Sequence, residues 1–457
     1  MEDLKKTELF ERTPIPRAIA TLAVPTILSS LVMVIYNLAD TYFVGMINDP
    51  IQSAAVTLAA PVLLAFNAVN NLFGIGSSSM MSRALGIKNY DVVRKSSAFG
   101  FYGALFCGVL FSLIVGVFNA PLLNLLGASA DTSAATGEYL KWTVCFGAAP
   151  AILNVVLAFL VRSEGSSLHA SVGTMSGCLL NILLDPIFIL PQGFNMGAAG
   201  AGFATFISNC VACIYFFVLL FIKRKNTYVS ISPRDFRPTR AIVGGVCGVG
   251  IPAAIQNLLN VTGMTVLNNF TSVYGSDPVA AMGIAQKINM VPMQVALGFS
   301  QGIMPLVSYN YSGKNYRRMK KTIIFSSCIS IGFLIIVTGV YFLSAGFLTS
   351  LFMQNESIVA YGESFLRGLC IAMPFLGMDF IAVGVFQSCG MGRKSLVFAL
   401  LRKIILEIPA LCILNFIFPL YGLAYAQFTA EIVLSVAAVI SFIGLFKGLE
   451  SADNKLI

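Results

Sequence analysis

The most informative shortage in this sequence is a shortage of charge. Only 11% of the 457 residues are Asp, Glu, Lys or Arg, and 57% are apolar, whereas about one-quarter of an ordinary soluble domain is charged. This balance excludes a soluble globular protein and predicts a polytopic membrane protein. At about 20 to 25 apolar residues per spanning helix, the chain accommodates roughly twelve helices with short connections. Strand-type alternation is absent, which argues against a barrel.

Histidine is nearly absent, and this limits the chemistry available inside the membrane. An intramembrane enzyme needs a nucleophile with a base, or a metal cluster, at membrane depth. The single histidine, His169, lies near a predicted helix start, so an enzyme is not expected. The ten cysteines are scattered, and the one close pair, Cys210 and Cys213, is interpreted as two small buried residues within a helix.

The apolar runs predict twelve helices and their orientation. The helices are predicted at 17–46, 52–82, 93–118, 138–161, 167–190, 197–222, 241–273, 278–312, 317–345, 359–389, 395–418 and 421–447. Lys and Arg concentrate in the loops after the second, eighth and tenth helices and in residues 223–240, which predicts cytoplasmic termini. Because the bases are spread among loops, the net charge of +9 indicates topology and contact with the lipid bilayer, not nucleic-acid binding.

An internal repeat divides the chain into two halves. The matched positions are Pro25 with Pro252, Asp49-Pro50 with Asp277-Pro278, Gly74-Ile75 with Gly302-Ile303, Lys88-Asn89-Tyr90 with Lys314-Asn315-Tyr316, Pro150 with Pro374, Pro186 with Pro409, and Gly200 with Gly422. Since each half holds six helices, both enter the membrane in the same sense. The prediction is an all-α membrane protein with an N-lobe at 1–222, a basic cytoplasmic linker at 223–240, a C-lobe at 241–457, and a cavity between the lobes.

Five carboxylates fall inside the predicted helices, and their distribution is asymmetric. A charge at the centre of a spanning helix costs at least about 2.5 to 3.5 kcal/mol, so each of these acids needs a partner, a proton or an ion. In the repeat, Asp40 aligns with Leu267, so this acid is not a requirement of the fold. The five residues are Asp40, Asp185, Asp379, Glu407 and Glu431.

Polar residues in the first lobe accompany two of these acids. Asn181 and Asp185 are four residues apart and share a helix face, and Pro186 favours a bend beside the carboxylate. Thr205 lies in the small-residue start of the sixth helix. Together with Asp40, these side chains predict an oxygen-lined pocket for H⁺ or Na⁺. The alternative is that the polar groups only hydrogen-bond helices together.

Other polar and flexible residues are candidates for a substrate cavity. Arg162 and Glu164, at the end of the fourth helix, are interpreted separately as a cytoplasmic surface or gate pair. Methionine-rich, flexible linings suit varied ligands. The cavity candidates are Tyr36, Asn37, Asn67, Asn70, Tyr139, Gln256, Met290 and Glu407.

Three segments resemble the MATE (multidrug and toxic compound extrusion) family, in particular its bacterial MepA-like branch. They are VPTILSSLVMVIYNLADTYFVG, NILLDPIFI and GAAGAGFATFISN, and the resemblance extends from Pro25 to the last helix. It implies a bacterial plasma-membrane antiporter, expected as a monomer, that exports amphipathic, often cationic, drugs in exchange for H⁺ or Na⁺ by alternating access. No cofactor other than the coupling ion is implied. The family's coupling positions match Asp40, Asn181, Asp185 and Thr205, where Na⁺ would bind, with Tyr139 nearby.

Two other transport functions are weighed against this interpretation. A flippase for a lipid-linked oligosaccharide, as found on related two-lobed folds, predicts a strongly basic central cavity for a diphosphate. Lys287 and Arg367 are identified as the bases well within the later helices, which disfavours that function. A channel is disfavoured because polar residues concentrate in one lobe instead of lining an axis.

Overall fold

The computed structural model describes residues 2–47, 49–352 and 355–453, and over this range the fold is helical without strands. Turns of π-helix occur at Asn71–Ile75, Lys141–Phe146 and Leu401–Glu407, and 3₁₀ turns at Pro233–Asp235 and Tyr421–Tyr425. The helices are α1 (Glu2–Glu11), α2 (Ile15–Met46), α3 (Pro50–Asn70), α4 (Gly76–Gly86), α5 (Tyr90–Val117), α6 (Asn119–Leu125), α7 (Ala130–Leu140), α8 (Ala148–Ser163), α9 (Ser167–Ile189), α10 (Ala198–Ile222), α11 (Arg240–Ser272), α12 (Ser276–Ser312), α13 (Tyr316–Ser350), α14 (Glu356–Cys370), α15 (Met373–Ser388), α16 (Gly392–Leu400), α17 (Ile408–Ile417) and α18 (Ala426–Asp453).

Long apolar helices dominate the described part of the chain. Nine of its helical stretches are long and apolar enough to cross a bilayer, and counting two bent pairs as single spans gives eleven. The bends are 49° between α7 and α8, with the π-helical turn Lys141–Phe146 on the α7 side, and 44° between α14 and α15. The predicted helix at 395–418 coincides with α16, a π-helical segment and α17. Because of its charged residues, this stretch is not among the eleven counted spans, and the total of twelve spans stays a prediction.

Contacts divide the chain into two compact units. The first unit contains Met1–Arg12 and Leu28–Ala254, and the second contains Thr13–Ile27 and Ile255–Ile457. Helices α2 and α11 therefore each contribute to both units, and each crosses over shortly after its proline, Pro25 or Pro252. The predicted lobes at 1–222 and 241–457 describe membrane topology and stay a prediction.

The internal repeat is visible in the turns that begin α5 and α13. Asn89 and Asn315 each accept a hydrogen bond from the backbone N–H three residues later, at 3.2 Å in both cases. The preceding residues, Lys88 and Lys314, have φ values of 57° and 58°. Matching sequence therefore produces matching helix starts in the two halves.

The linker at 223–240 belongs to the first unit and hydrogen-bonds to Glu164, the residue that follows α8. The carboxylate of Glu164 accepts hydrogen bonds from the Thr227 hydroxyl at 3.1 Å and from the Tyr228 backbone N–H at 2.9 Å. Arg162 and Glu164 are only 6% and 3% exposed. Their interpretation as a surface pair was therefore wrong, and a gate pair stays a prediction. The hydrogen bonds to Thr227 and Tyr228 make Glu164 an anchor for the linker.

The first part of α11 packs closely against the start of the π-helical turn that follows α3. A Cβ atom at Gly250 would overlap the carbonyl oxygen of Leu72. We expect Gly250→Ala to destabilise the protein by about 1 to 3 kcal/mol, because backbone must shift to admit the methyl group. Thermal unfolding of the purified protein in detergent measures this loss. Gly248→Ala in the same helix, where nothing lies within 4 Å of the added Cβ, is the matched control; equal losses for both would contradict the packing argument.

Candidate functional site

Three helices of the first unit bring together the side chains of the predicted coupling site. Helix α9 places Asn181 and Asp185 one turn apart, and both are buried, at 1% and 0% exposed. With the Asn181 amide oriented so that donors meet acceptors, its Nδ2 donates to Asp185 Oδ2 at 2.9 Å. Its Oδ1 then accepts from the hydroxyl of Thr205 on α10 at 3.2 Å and from the Thr205 backbone N–H at 3.1 Å. Asn181 therefore links α9 to α10.

Helix α2 supplies the second carboxylate, Asp40. Its Oδ1 is buried and, among the described residues, accepts no hydrogen bond. Asp40 and Asp185 are close enough for their charges to interact. No ion pair within the described ranges joins either acid to a Lys or Arg. Two neighbouring carboxylates without a base need a proton or a bound cation to lower their mutual repulsion.

Two tyrosines complete this cluster. The Tyr36 hydroxyl lies beside the Thr205 side chain and near both carboxylates. Tyr139, which is 4% exposed, lies near both carboxylates as well. It directly precedes Leu140 and the π-helical turn Lys141–Phe146, and such turns frequently occur at functional sites.

A cavity of about 120 Å³ adjoins the cluster within the first unit. One of its hydroxyls, Ser208 Oγ, is buried and has no hydrogen-bond partner in the described structure. The volume admits several water molecules, and the polar lining offers them partners. The lining residues are Met33, Tyr36, Asn154, Val155, Thr174, Gly177, Cys178, Asn181, Thr205, Ser208, Asn209 and Ala212.

The other cavity candidates differ in burial and in the unit to which they belong. Asn37 and Asn67 are exposed, while Asn70 is buried with its Oδ1 unpartnered in the described structure. The remaining three, Gln256, Met290 and Glu407, belong to the second unit. There, Gln256 accepts a hydrogen bond from Gln387 at 3.3 Å and Met290 is half-buried.

The second unit holds its three predicted acids in ion pairs. Arg402 contacts Asp379 at 3.4 Å and Glu431 at 2.7 Å, and all three side chains are at most 4% exposed. Lys403 contacts Glu407 at 2.6 Å. These acids therefore have basic partners, in contrast to Asp40 and Asp185.

Sequence reasoning overlooked the two bases of this network. Naming Lys287 and Arg367 as the bases of the later helices was incomplete, because Arg402 and Lys403 also lie inside the predicted helix 395–418. The signal was present in the segment LRKIILE, where two bases and an acid interrupt an apolar run. Lys287, by contrast, is exposed on α12.

Comparison with known proteins gives concordant matches. A family model described as MatE matches residues 25–187 and again residues 252–413, in agreement with the internal repeat. The chain is 32% identical to the multidrug export protein MepA of Staphylococcus aureus strain MRSA252 over 434 residues, which is 94% of each protein. It is similar to a crystal structure of MATE in complex with MaL6, with a TM-score of 0.92 and 26% identity over 98% of this chain and 99% of that one. An outward-facing multidrug resistance MATE transporter of the MOP superfamily has a TM-score of 0.91, with the same identity and coverage.

Proposed function

The chain belongs to the MatE family of multidrug export transporters, and we propose that it exports amphipathic, often cationic, small molecules by antiport with H⁺ or Na⁺. It is a multi-pass protein of the bacterial plasma membrane. The coupling ion binds at Asp40, Asn181, Asp185 and Thr205. The observation that carries the proposal is the buried, unpartnered oxygen of Asp40 beside Asp185, with no base paired to either acid in the described structure.

The contrast between the two units supports this assignment of the coupling site. Asp379 and Glu431 share the Arg402 guanidinium, and Glu407 is paired with Lys403. Asp40 and Asp185 are left to a mobile cation or a proton, which a transport cycle supplies and removes. An oxygen set of two carboxylates, an amide and a hydroxyl suits Na⁺, and the carboxylates alone suit H⁺.

Binding and release of this ion favour different conformations of the first unit. Neutralising the acids lowers the cost of burying them, so the ion shifts the equilibrium between outward-open and inward-open forms. Pro186, inside α9 and next to Asp185, supplies a weak point for bending. The adjoining cavity of about 120 Å³ offers room for water beside Asn181 on α9.

The membrane topology of this proposal has twelve spans. The span added to the eleven counted above is the stretch from α16 through α17, whose charges are tolerable because the described ion pairs neutralise Arg402, Lys403 and Glu407. With the basic loops inside, both termini are cytoplasmic. A lipid-precursor flippase is not favoured, since Arg402 and Lys403 already contact acids and offer a diphosphate no unpaired base.

Efflux of a fluorescent organic cation in everted vesicles distinguishes the two coupling ions. We expect an acid lumen or a Na⁺-rich lumen, imposed separately, to drive accumulation of the cation in the lumen. One pH unit sustains about a tenfold concentration ratio for one-proton exchange. Exchanging one H⁺ for one monovalent cation moves no net charge, so the membrane potential does not drive it. If a second ion enters per cycle, the membrane potential adds about 2.3 kcal/mol of driving free energy per 100 mV. If neither gradient drives accumulation, cation-coupled antiport is wrong.

A further inference from the structure

The ion pair between Lys403 and Glu407 has no role in the proposed coupling site, although it is a built feature of the second unit. Lys403 Nζ donates to both carboxylate oxygens of Glu407, at 2.7 and 2.6 Å. The two side chains are 10% and 8% exposed. A carboxylate in such a poorly hydrated place binds any accessible cation strongly, and here the cation is part of the protein.

Lys403 is the base that pairs with Glu407. The neighbouring base, Arg402, is directed to Asp379 and Glu431, at 3.4 and 2.7 Å. No further ion pair in the described ranges reaches Glu407. Moving the Lys403 ammonium away would therefore leave one buried carboxylate open to another cation.

The Lys403 side chain packs against α11 at Gly263, a position where the helix has no side chain of its own. A Cβ atom at Gly263 would come within 2.9 Å of Lys403 Cδ and 3.0 Å of Nζ. The flexible lysine stem thus lies against bare helix backbone, where its four rotatable bonds allow it to withdraw. Gln256, two turns earlier on the same face of α11, adds a polar group to this side of the unit.

We propose that Glu407 recognises organic cations and that Lys403 is its tethered competitor, so that a substrate cation binds by displacing the Lys403 ammonium. This inference rests on the proposed function, because it names the group in the second unit that recognises exported cations. Exchanging one cation for another avoids leaving a buried carboxylate unpaired. Neutral and anionic compounds have no such exchange available, so the pair selects for cations.

Direct binding of radiolabelled tetraphenylphosphonium to the purified full chain in lipid nanodiscs tests this proposal without any gradient. We expect Lys403→Met to lower Kd about tenfold, a factor that corresponds to about 1.4 kcal/mol. Glu407→Gln should raise Kd, and the double variant should lose the gain. Lys287→Met removes the same charge from an exposed position on α12, and as the matched control it should leave Kd unchanged.

An unchanged or higher Kd for a folded Lys403→Met protein overturns the proposal, because the pair would then be structural only. If Lys403→Met fails to fold, Lys403→Arg retains the positive charge. Its guanidinium holds a carboxylate in a bidentate manner, so Kd should rise, and an unchanged Kd overturns the proposal equally. Absence of binding to the wild-type chain would contradict cation export itself, whereas wild-type binding that ignores Lys403 contradicts this inference alone.

Discussion

Asp185→Asn is expected to abolish ion-driven export while leaving the folded protein intact. At an imposed difference of one pH unit, or of tenfold in Na⁺, the roughly tenfold accumulation ratio of a one-ion exchange should fall to about one. The amide keeps the shape of the carboxylate but carries no negative charge and takes up no proton. Asp40→Asn should have the same effect, since its buried Oδ1 belongs to the same site. Accumulation of a fluorescent cation in everted vesicles measures both ratios.

The control for this experiment is Asp131→Asn, the same chemical change at an exposed position in the first turn of α7. It should accumulate the cation as the wild-type chain does. Expression and thermal unfolding of each variant establish that the protein is folded. Retention of the tenfold ratio by the double variant Asp40→Asn/Asp185→Asn would move the coupling site elsewhere in the chain.

The sequence predicted the long apolar helices and the proximity of Asn181 to Asp185, for identifiable physical reasons. An apolar run of about 20 residues has few alternatives in a bilayer, so the predicted helix 167–190 matches α9, Ser167–Ile189. A spacing of four residues places Asn181 and Asp185 on the same face of a helix. In the structure their side chains are hydrogen-bonded to each other. The repeat alignment also predicted that the counterpart of Asp40 in the second half is an apolar residue, Leu267. In the structure Leu267 packs against an apolar core cluster.

What the sequence did not predict depends on contacts between distant segments. Nothing in the linker composition indicates that Thr227 and Tyr228 hydrogen-bond to Glu164. The π-helical turn Leu401–Glu407 changes which side chains share a face. The partners of Arg402, on α15 and α18, lie 23 and 29 residues away in sequence, and no helical periodicity relates such positions.

Removal of Arg402 should have a larger effect on stability than loss of any exposed charge. Arg402→Met leaves Asp379 and Glu431 buried without a cation, since these residues are 1% and 0% exposed. Breaking a buried pair from one side costs about 3 to 5 kcal/mol. We therefore expect a clear fall in thermal unfolding temperature, measured in detergent and in nanodiscs, together with low expression.

We attribute the loss of stability in Arg402→Met to the number of buried charges left without a partner, more than to the loss of a particular contact. Glu431→Gln leaves Arg402 and Asp379 in balance and should cost less than Arg402→Met. The triple variant Asp379→Asn/Arg402→Met/Glu431→Gln removes every charge of the group and should recover much of the stability. Arg367→Met breaks a more exposed pair with Glu363, whose N–O distance is 2.7 Å, and should cost no more than about 1 kcal/mol. If Arg402→Met unfolds at the same temperature as Arg367→Met, the two acids are neutral in the folded protein and Arg402 is not their counter-ion.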